Sequence, residues 1–300
     1  MEELLNIKKR FSRSSKRKFL NIVENKLIEY GYKCETKTFW RLLKSVNLET
    51  KIEKPEYIFI AHYDTGTMLP IWMNWLMKFV GINRQLLIVL LIVIFIKIII
   101  PTIDNYQPIV AEILSVLFLV STLTIFIPNS KNYDDNTSGV ITLLKLAKQF
   151  KEKGIQNVKF IFVDNEELGL FGSFAHKRYL KRKKMIPENC KVISIDCVGG
   201  NGKLPLIIRN GKSEYEHTFK KAIENEFNEC KSIKMMLPVS DNFSFKKYGA
   251  INISFVDKTI IPNGYYIRNI HSLKDKEIDI EKIERLCNVL TEVVNDNNSG

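Results

Sequence analysis

Two stretches near the middle of the chain interrupt an otherwise alternating pattern of apolar and polar positions. Leu86 to Ile96 is an unbroken apolar run, resumed at Ile98 to Ile100 after Lys97, and Ile109 to Ile127 carries a single charge, Glu112. Each run approaches the ~20 apolar residues that a helix needs to cross a hydrocarbon core. The connector from Pro101 to Pro108 is short enough for a tight hairpin, so spans are expected at about 86–103 and 109–127 within an insertion at 86–127. Trp72 and Trp75 stand just upstream with Lys78 and Arg84, the composition of a segment lying at a membrane interface. The competing reading is a buried helical hairpin docked on the domain or in a dimer interface. Two near-continuous apolar helices in tandem are uncommon in a soluble core, which favours insertion.

Outside that insertion the periodicity switches between strand and helix. Tyr57 to Ala61, Val158 to Val163, Lys191 to Ile195, Leu204 to Arg209 and Ile251 to Val256 read as strands. Phe19 to Tyr30, ended by Gly31, and Val140 to Phe150 read as helices, and Ile280, Ile283, Cys287, Leu290 and Val294 recur at helical spacing in a last one. The closing NDNNSG is expected to fray. Alternating strands and helices imply an α/β three-layer sandwich with a largely parallel central sheet. No internal repeat or linker divides the chain, so residues 1–300 are expected to form a single domain interrupted by the two-helix membrane hairpin.

In open α/β sheets, functional groups collect at the carboxyl ends of strands, and the polar residues here follow that placement. The first strand runs into His62-Tyr63-Asp64. Positions i and i+2 share a side, so Asp64 is placed to accept from the imidazole while its other nitrogen binds a metal. Asp134-Asp135-Asn136-Thr137-Ser138-Gly139 precedes an apolar helix, Asp164-Asn165-Glu166-Glu167 follows a strand and leads to Gly169 and Gly172-Ser173, and Asp196 closes another strand before Gly199. His271 precedes the terminal helix. Taken alone, each has an ordinary structural reading: a turn histidine, a helix amino-terminal loop, acidic residues favoured by a helix dipole. Adjacent glutamates at a strand end point in different directions, so one could ligate a metal while the other addresses water.

In this order the motifs His-x-Asp, Asp-Asn-x-Ser-Gly, Glu-Glu-x-Gly-x-x-Gly-Ser, Asp-x-x-Gly and His resemble the co-catalytic di-zinc exopeptidase family that includes bacterial leucyl aminopeptidases and glutamate carboxypeptidase. The resemblance spans most of the chain apart from the apolar insertion. It implies two Zn²⁺ ions, with His62 and Asp196 on one, Glu167 and His271 on the other, and Asp135 bridging both. It also implies Glu166 as general base, Asp64 as partner of His62, and a peptide substrate. Ser240-Asp241, Phe243 and Phe245 fit the family as well, but Asn242 stands where it often has histidine, which bears on the substrate pocket rather than the metals. Tyr265 and Tyr266 are candidates for the oxyanion donor. A glutaminyl cyclase, which shares the fold but uses one zinc, and a non-catalytic membrane receptor of the same fold are the alternatives. The second is disfavoured because no ligand is missing.

Charge changes this picture little. Forty-five basic against 33 acidic residues leave +12, concentrated in Lys8 to Lys18 and in Lys177 to Lys184. Neither run belongs to a recognisable nucleic-acid module, so no nucleic-acid partner is expected; a solvated face or anionic lipid is. His176 falls in the second run and His217 in an exposed helix, both without an assigned role. Five scattered cysteines without a CxxC pair argue for reduced thiols rather than a disulfide framework. The amino terminus lacks a signal peptide's apolar core. His62 and Asp135 must meet across the insertion, which requires an even number of crossings. Lys78, Arg84 and Lys131 flank it while its connector has only Asp104, so the positive-inside rule puts a multi-pass protein in the cell membrane with its catalytic domain cytoplasmic.

Overall fold

The computed structural model describes residues 2–40 and 42–298. Its strands are β1 (Cys34–Trp40), β2 (Lys44–Thr50), β3 (Tyr57–His62), β4 (Val158–Val163), β5 (Lys191–Ile195), β6 (Leu204–Arg209), β7 (Lys231–Lys234), β8 (Ile251–Lys258) and β9 (Tyr265–Tyr266). They form one sheet in the order β1-β2-β4-β3-β5-β8-β6-β7, with β9 paired to β8. The centre, β4-β3-β5-β8, is parallel. The β1–β2 hairpin and the β2–β4 pair are antiparallel, as are β6–β8 and β8–β9. β6 and β7 at the far edge are parallel again, so the sheet is mixed, an α/β fold whose central parallel strands include those that carry the acidic motifs.

Every residue of β3 and β4 is buried, as expected of parallel strands covered on both faces. Alternation then sorts the side chains. Tyr57, Phe59 and Ala61 pack with Phe19, Val23, Phe150 and Leu290, while Ile58 and Ile60 pack with Ile161, Leu180 and Val192 on the other face. The helices responsible are α2 (Arg13–Glu29), after a short α1 (Glu2–Asn6), with α6 (Gly139–Glu152) and α9 (Ile280–Asn298) on the first face and α7 (Phe171–Arg182) on the second; α8 (Glu216–Phe227) packs on α9. The expected fraying does not hold for Asn295 to Asn298, which continue α9, and Ser299 and Gly300 lie outside the described residues.

The apolar insertion is led in by α3 (Ile71–Val80) and forms two helices, α4 (Ile82–Tyr106) and α5 (Pro108–Phe126). The first runs a turn beyond the expected end near residue 103, and the chain reverses at Gln107. A wide turn over Phe95–Ile99 precedes Pro101, where the ring would otherwise meet the preceding carbonyls of a regular helix. Only 6% of the most apolar window of each helix is buried, so the hairpin is not packed into this domain. Its base is clamped. Thr67 forms a β-bridge with Pro128, Met68 N–H donates to Ile127 O and Asn129 N–H to Gly66 O. Ile260 and Ile261 donate backbone N–H groups to Lys78 O and Phe79 O, and Trp72 stacks on Phe118 with centroids 5.0 Å apart.

Candidate metal centre

The carboxyl edge of the parallel strands brings seven polar side chains together. His62 ends β3, with Asp64 two residues on; Asp135 lies in the turn before α6; Glu166 and Glu167 follow β4; Asp196 follows β5; His271 lies in the segment leading to α9. His62 Nε2 is 3.2 Å from Asp135 Oδ1, 3.6 Å from Asp196 Oδ1 and 4.0 Å from Glu166 Oε2. His271 Nε2 is 3.4 Å from both Asp135 Oδ2 and Glu167 Oε2. Asp135 thus gives one oxygen to each imidazole. Three sets of three have ligand atoms close enough to share an ion: His62-Asp135-Asp196 and Asp135-Glu167-His271, which meet at Asp135, and His62-Glu166-Glu167.

Local backbone makes this convergence possible. At Gly66 an added Cβ would lie 2.6 Å from both Glu167 Oε2 and His271 Cε1, so any side chain there would displace the carboxylate or the ring. His271, at φ +51°, is held in the left-handed region, with Nδ1 3.2 Å from Thr67 O and its own carbonyl accepting from Leu69 N–H. Asp64 does something the sequence did not suggest. Its Oδ1 is 3.6 Å from His62 Nδ1, too long for a hydrogen bond. The same carboxylate accepts the backbone N–H of Glu166 at 3.2 Å and of Glu167 at 3.3 Å, fixing the loop that carries both glutamates.

The site holds more buried negative charge than its cations balance. Burial lowers the His62 pKa, but the charge of Glu166 and contacts from Asp135, Asp196 and Asp64 outweigh it and hold the ring well above its ordinary value. Burial, then Asp135, pushes Glu167 well up. Burial likewise raises Glu166, assisted by Glu167, Asp241 and Asp196 against the opposing His62. Asp241 is fully buried, lies close enough to repel Glu166, and is pushed up to about 7, chiefly by burial. Glu167 Oε1 is buried without a hydrogen-bond partner. Clustered carboxylates with an orphaned oxygen between two imidazoles are a donor set suited to divalent cations, which would relieve the repulsion.

Three supporting residues escaped the sequence reading. Asp275 accepts the N–H of Asp134 (2.8 Å) and of Asp135 (3.2 Å), fixing the turn of the shared carboxylate. Asp134 Oδ1 accepts from Gly199 and Gly200 N–H, tying that turn to the loop after Asp196. Arg10, from the basic amino-terminal run, is buried rather than solvated; it donates through Nε to Tyr63 O, its backbone N–H donates to Thr65 Oγ1, and its charge reaches Asp64 and Asp135. His176 is buried away from this centre, bonded to Glu49, and His217 is exposed. Tyr265 packs in the cluster of Cys197, with Ile82 near the hairpin base, and no hydrogen bond or ion pair among the described residues joins Tyr265 or Tyr266 to the metal-ligand candidates. All five cysteines are free, and Cys197 fills an apolar cluster.

The sequence profile of peptidase family M28 matches residues 126–294, more than half of the chain and the part that carries Asp135, Glu166, Glu167, Asp196 and His271. The chain belongs to peptidase family M28. Membership makes this M28 protein a metallopeptidase by class, and zinc the metal that its donor set is expected to take. Among curated protein sequences no match was found. Solved structures similar to it include the LapA aminopeptidase of Legionella pneumophila, at 13% identity and TM-score 0.62 over 98% of this chain and 69% of that one. A Zn-dependent exopeptidase of Parabacteroides distasonis matches at 14% and 0.63 over 98% and 94%. The glutaminyl cyclase of Porphyromonas gingivalis matches at 14% and 0.62 over 99% and 95%. These likenesses bear on the fold, which the M28 protein shares with all three.

Proposed function

We propose that this M28 protein is a membrane-anchored aminopeptidase acting on short peptides with two zinc ions in one centre. The observation that carries the reading is Asp135, whose two oxygens face separate imidazoles, each within its own set of three ligands. In this reading His62 and Asp196 hold one ion, Glu167 and His271 the other, and Asp135 both. Zinc held there would acidify a water and polarise the scissile carbonyl. Glu166 is the general base, taking the proton from the attacking water and delivering it to the leaving amine. Asp64 holds Glu166 and Glu167 by their backbone N–H groups, so that adjacent carboxylates keep separate tasks. Residues 1–300 act as one catalytic domain, and α4 and α5 cross the membrane as a pair, leaving that domain on the cytoplasmic face.

The test is hydrolysis of a panel of aminoacyl chromophores by the detergent-solubilised full chain, with and without a chelator, alongside metal counting. Chelator-sensitive release of the amino-terminal residue with two zinc ions per chain is expected. Cyclisation of an amino-terminal glutaminyl peptide with one zinc per chain would replace this reading by the glutaminyl cyclase one. Neither activity would overturn both.

A further inference from the structure

The turn between β1 and β2 exposes apolar side chains at the sheet edge that carries the metal centre. Trp40 is 69% exposed, Leu42 86% and Leu43 39%. Ordinary surface turns are polar, and three large apolar residues within four positions are not placed there by the needs of the core. The position of this turn follows from register. Strand β2 runs antiparallel to β4, pairing Leu48 with Phe162 and Glu49 with Ile161, so the chain toward Lys44 projects past the carboxyl end of β4. There Asn165 Nδ2 donates to Lys44 O at 3.0 Å, attaching the tip to the loop that carries Glu166 and Glu167.

The apolar hairpin leaves the domain from the same edge. Its base is the Thr67–Pro128 bridge, a few residues beyond His62 and joined to His271 through Leu69 N–H. Exposed cations stand at the rim of this edge, outside its buried carboxylates. Lys8 and Lys9 are exposed beside Asn132 and Thr65, which bond the backbone at Lys8 and Arg10, and the exposed Arg13 opens α2 from the same corner. Lys44 Nζ lies 5.0 Å from the centre of the Trp40 ring. Aromatic and aliphatic side chains at a tip, with cations beside them, match the headgroup zone of an anionic bilayer, where an indole sits at the interface and lysine and arginine meet lipid phosphate.

We propose that the β1–β2 tip inserts Trp40, Leu42 and Leu43 into the interface of the same anionic bilayer that α4 and α5 cross, so that the metal centre opens onto the membrane surface. This rests on the membrane-anchored reading above and adds a second contact to it. A domain held only at the hairpin base could swing about that point. Held also at the tip, it presents the metal centre to peptide lying on the bilayer.

The experiment uses the full chain in lipid nanodiscs of phosphatidylcholine and phosphatidylglycerol. Of the three tryptophans, Trp72→Phe and Trp75→Phe leave Trp40 as the only indole. Its emission is expected to be blue-shifted, quenched by lipids brominated on the acyl chain and shielded from aqueous iodide. A red-shifted Trp40 that iodide quenches and brominated lipid does not would overturn the proposal. If that double variant fails to fold, Trp40→Ser with Leu42→Ser decides. It should keep wild-type turnover of a small soluble aminoacyl substrate and lose turnover of the same residue on a lipid-anchored peptide; equal retention of both would overturn the proposal. An alkaline wash of membranes separates the two readings. A wild-type chain that stays in the pellet while Trp40 stays in water sinks only the tip contact, and a chain that washes off sinks the hairpin and the tip together.

Discussion

Lys159 offers the sharpest test of the packing behind the metal centre. It lies inside β4 with no exposure, its Nζ 3.0 Å from Glu49 Oε2 on β2, and His176 of α7 places Nε2 3.0 Å from the same oxygen. Burial raises the Glu49 pKa, but the bonds and charges of His176 and Lys159 outweigh it and hold the carboxyl below its ordinary value. Burial lowers His176 further than Glu49 raises it, so near neutral pH the trio is one ammonium, one carboxylate and one neutral imidazole. Lys159→Met removes the cation. Breaking a buried pair costs about 3–5 kcal/mol because the remaining charge is left uncompensated. Here a substitute lies within reach. Without Lys159, one of the cations that lower His176 is gone, so protonation beside Glu49 costs less and the folded pKa rises from its depressed value. In the wild type the stability contributed by His176 is present above the unfolded pKa and lost as pH falls through the depressed folded value. In the variant less is lost on acidification, because the folded value lies closer to the unfolded one. The deficit of Lys159→Met should therefore be largest near pH 8 and shrink toward about pH 5.5, where the imidazole is charged. Chemical denaturation of the detergent-solubilised proteins, followed by near-ultraviolet circular dichroism, reads this directly. Adding Glu49→Gln removes both charges and should recover most of the loss at the higher pH. An equal deficit at both pH values, with no recovery in the double variant, would refute the reasoning.

Other outcomes follow from the centre itself. Glu166→Gln should keep both metals and lose about 10²- to 10⁴-fold in turnover, the usual contribution of a general base; near-normal turnover of the metal-replete variant would displace Glu166 from that role. Asp135→Ala should lose metal from both positions, measured by metal counting after gel filtration, and retention of both would move the bridge elsewhere. Asp275→Ala leaves two amide donors without their acceptor, each costing about 1–3 kcal/mol, and should weaken metal affinity at the shared carboxylate more than Asp275→Asn does. Replacing residues 86–127 with a short polar linker should yield a chain that leaves the membrane fraction yet binds metal; one that still pellets would mean the anchor lies outside the apolar helices.

The sequence reading succeeded where one physical rule fixed both identity and place. Parallel strands buried on both faces are mostly apolar, so β3 and β4 announced themselves despite Lys159 and His62, and the acidic residues that follow such strands share an edge. The β1–β2 hairpin went unread because its threonines, lysines and glutamates lack a glycine or proline turn between the strands. Buried polar residues were invisible for another reason. Lys159 meets Glu49 across a separation of 110 residues, and nothing near either position distinguishes them from solvated charges. Arg10 and His176 sit within basic runs whose other members include exposed residues, and burial singles them out only once β2 and β3 are in place. Asp275 lies in a polar stretch far from the turn it supports, so only the folded backbone reveals its two amide partners.

The bridge between Thr67 and Pro128 has a thermodynamic consequence. It closes the loop that contains both apolar helices, and the entropy of closing a loop grows only with the logarithm of its length, about 0.6 kcal/mol for each doubling. Once the ends meet, the catalytic domain is nearly indifferent to what lies between them. A brief turn and a pair of long helices make similar demands on the strands at its base. On the membrane-anchored reading, the cellular address of such an enzyme is thus a separable trait, open to being gained, exchanged or lost by a single insertion while the chemistry a few residues away stays the same.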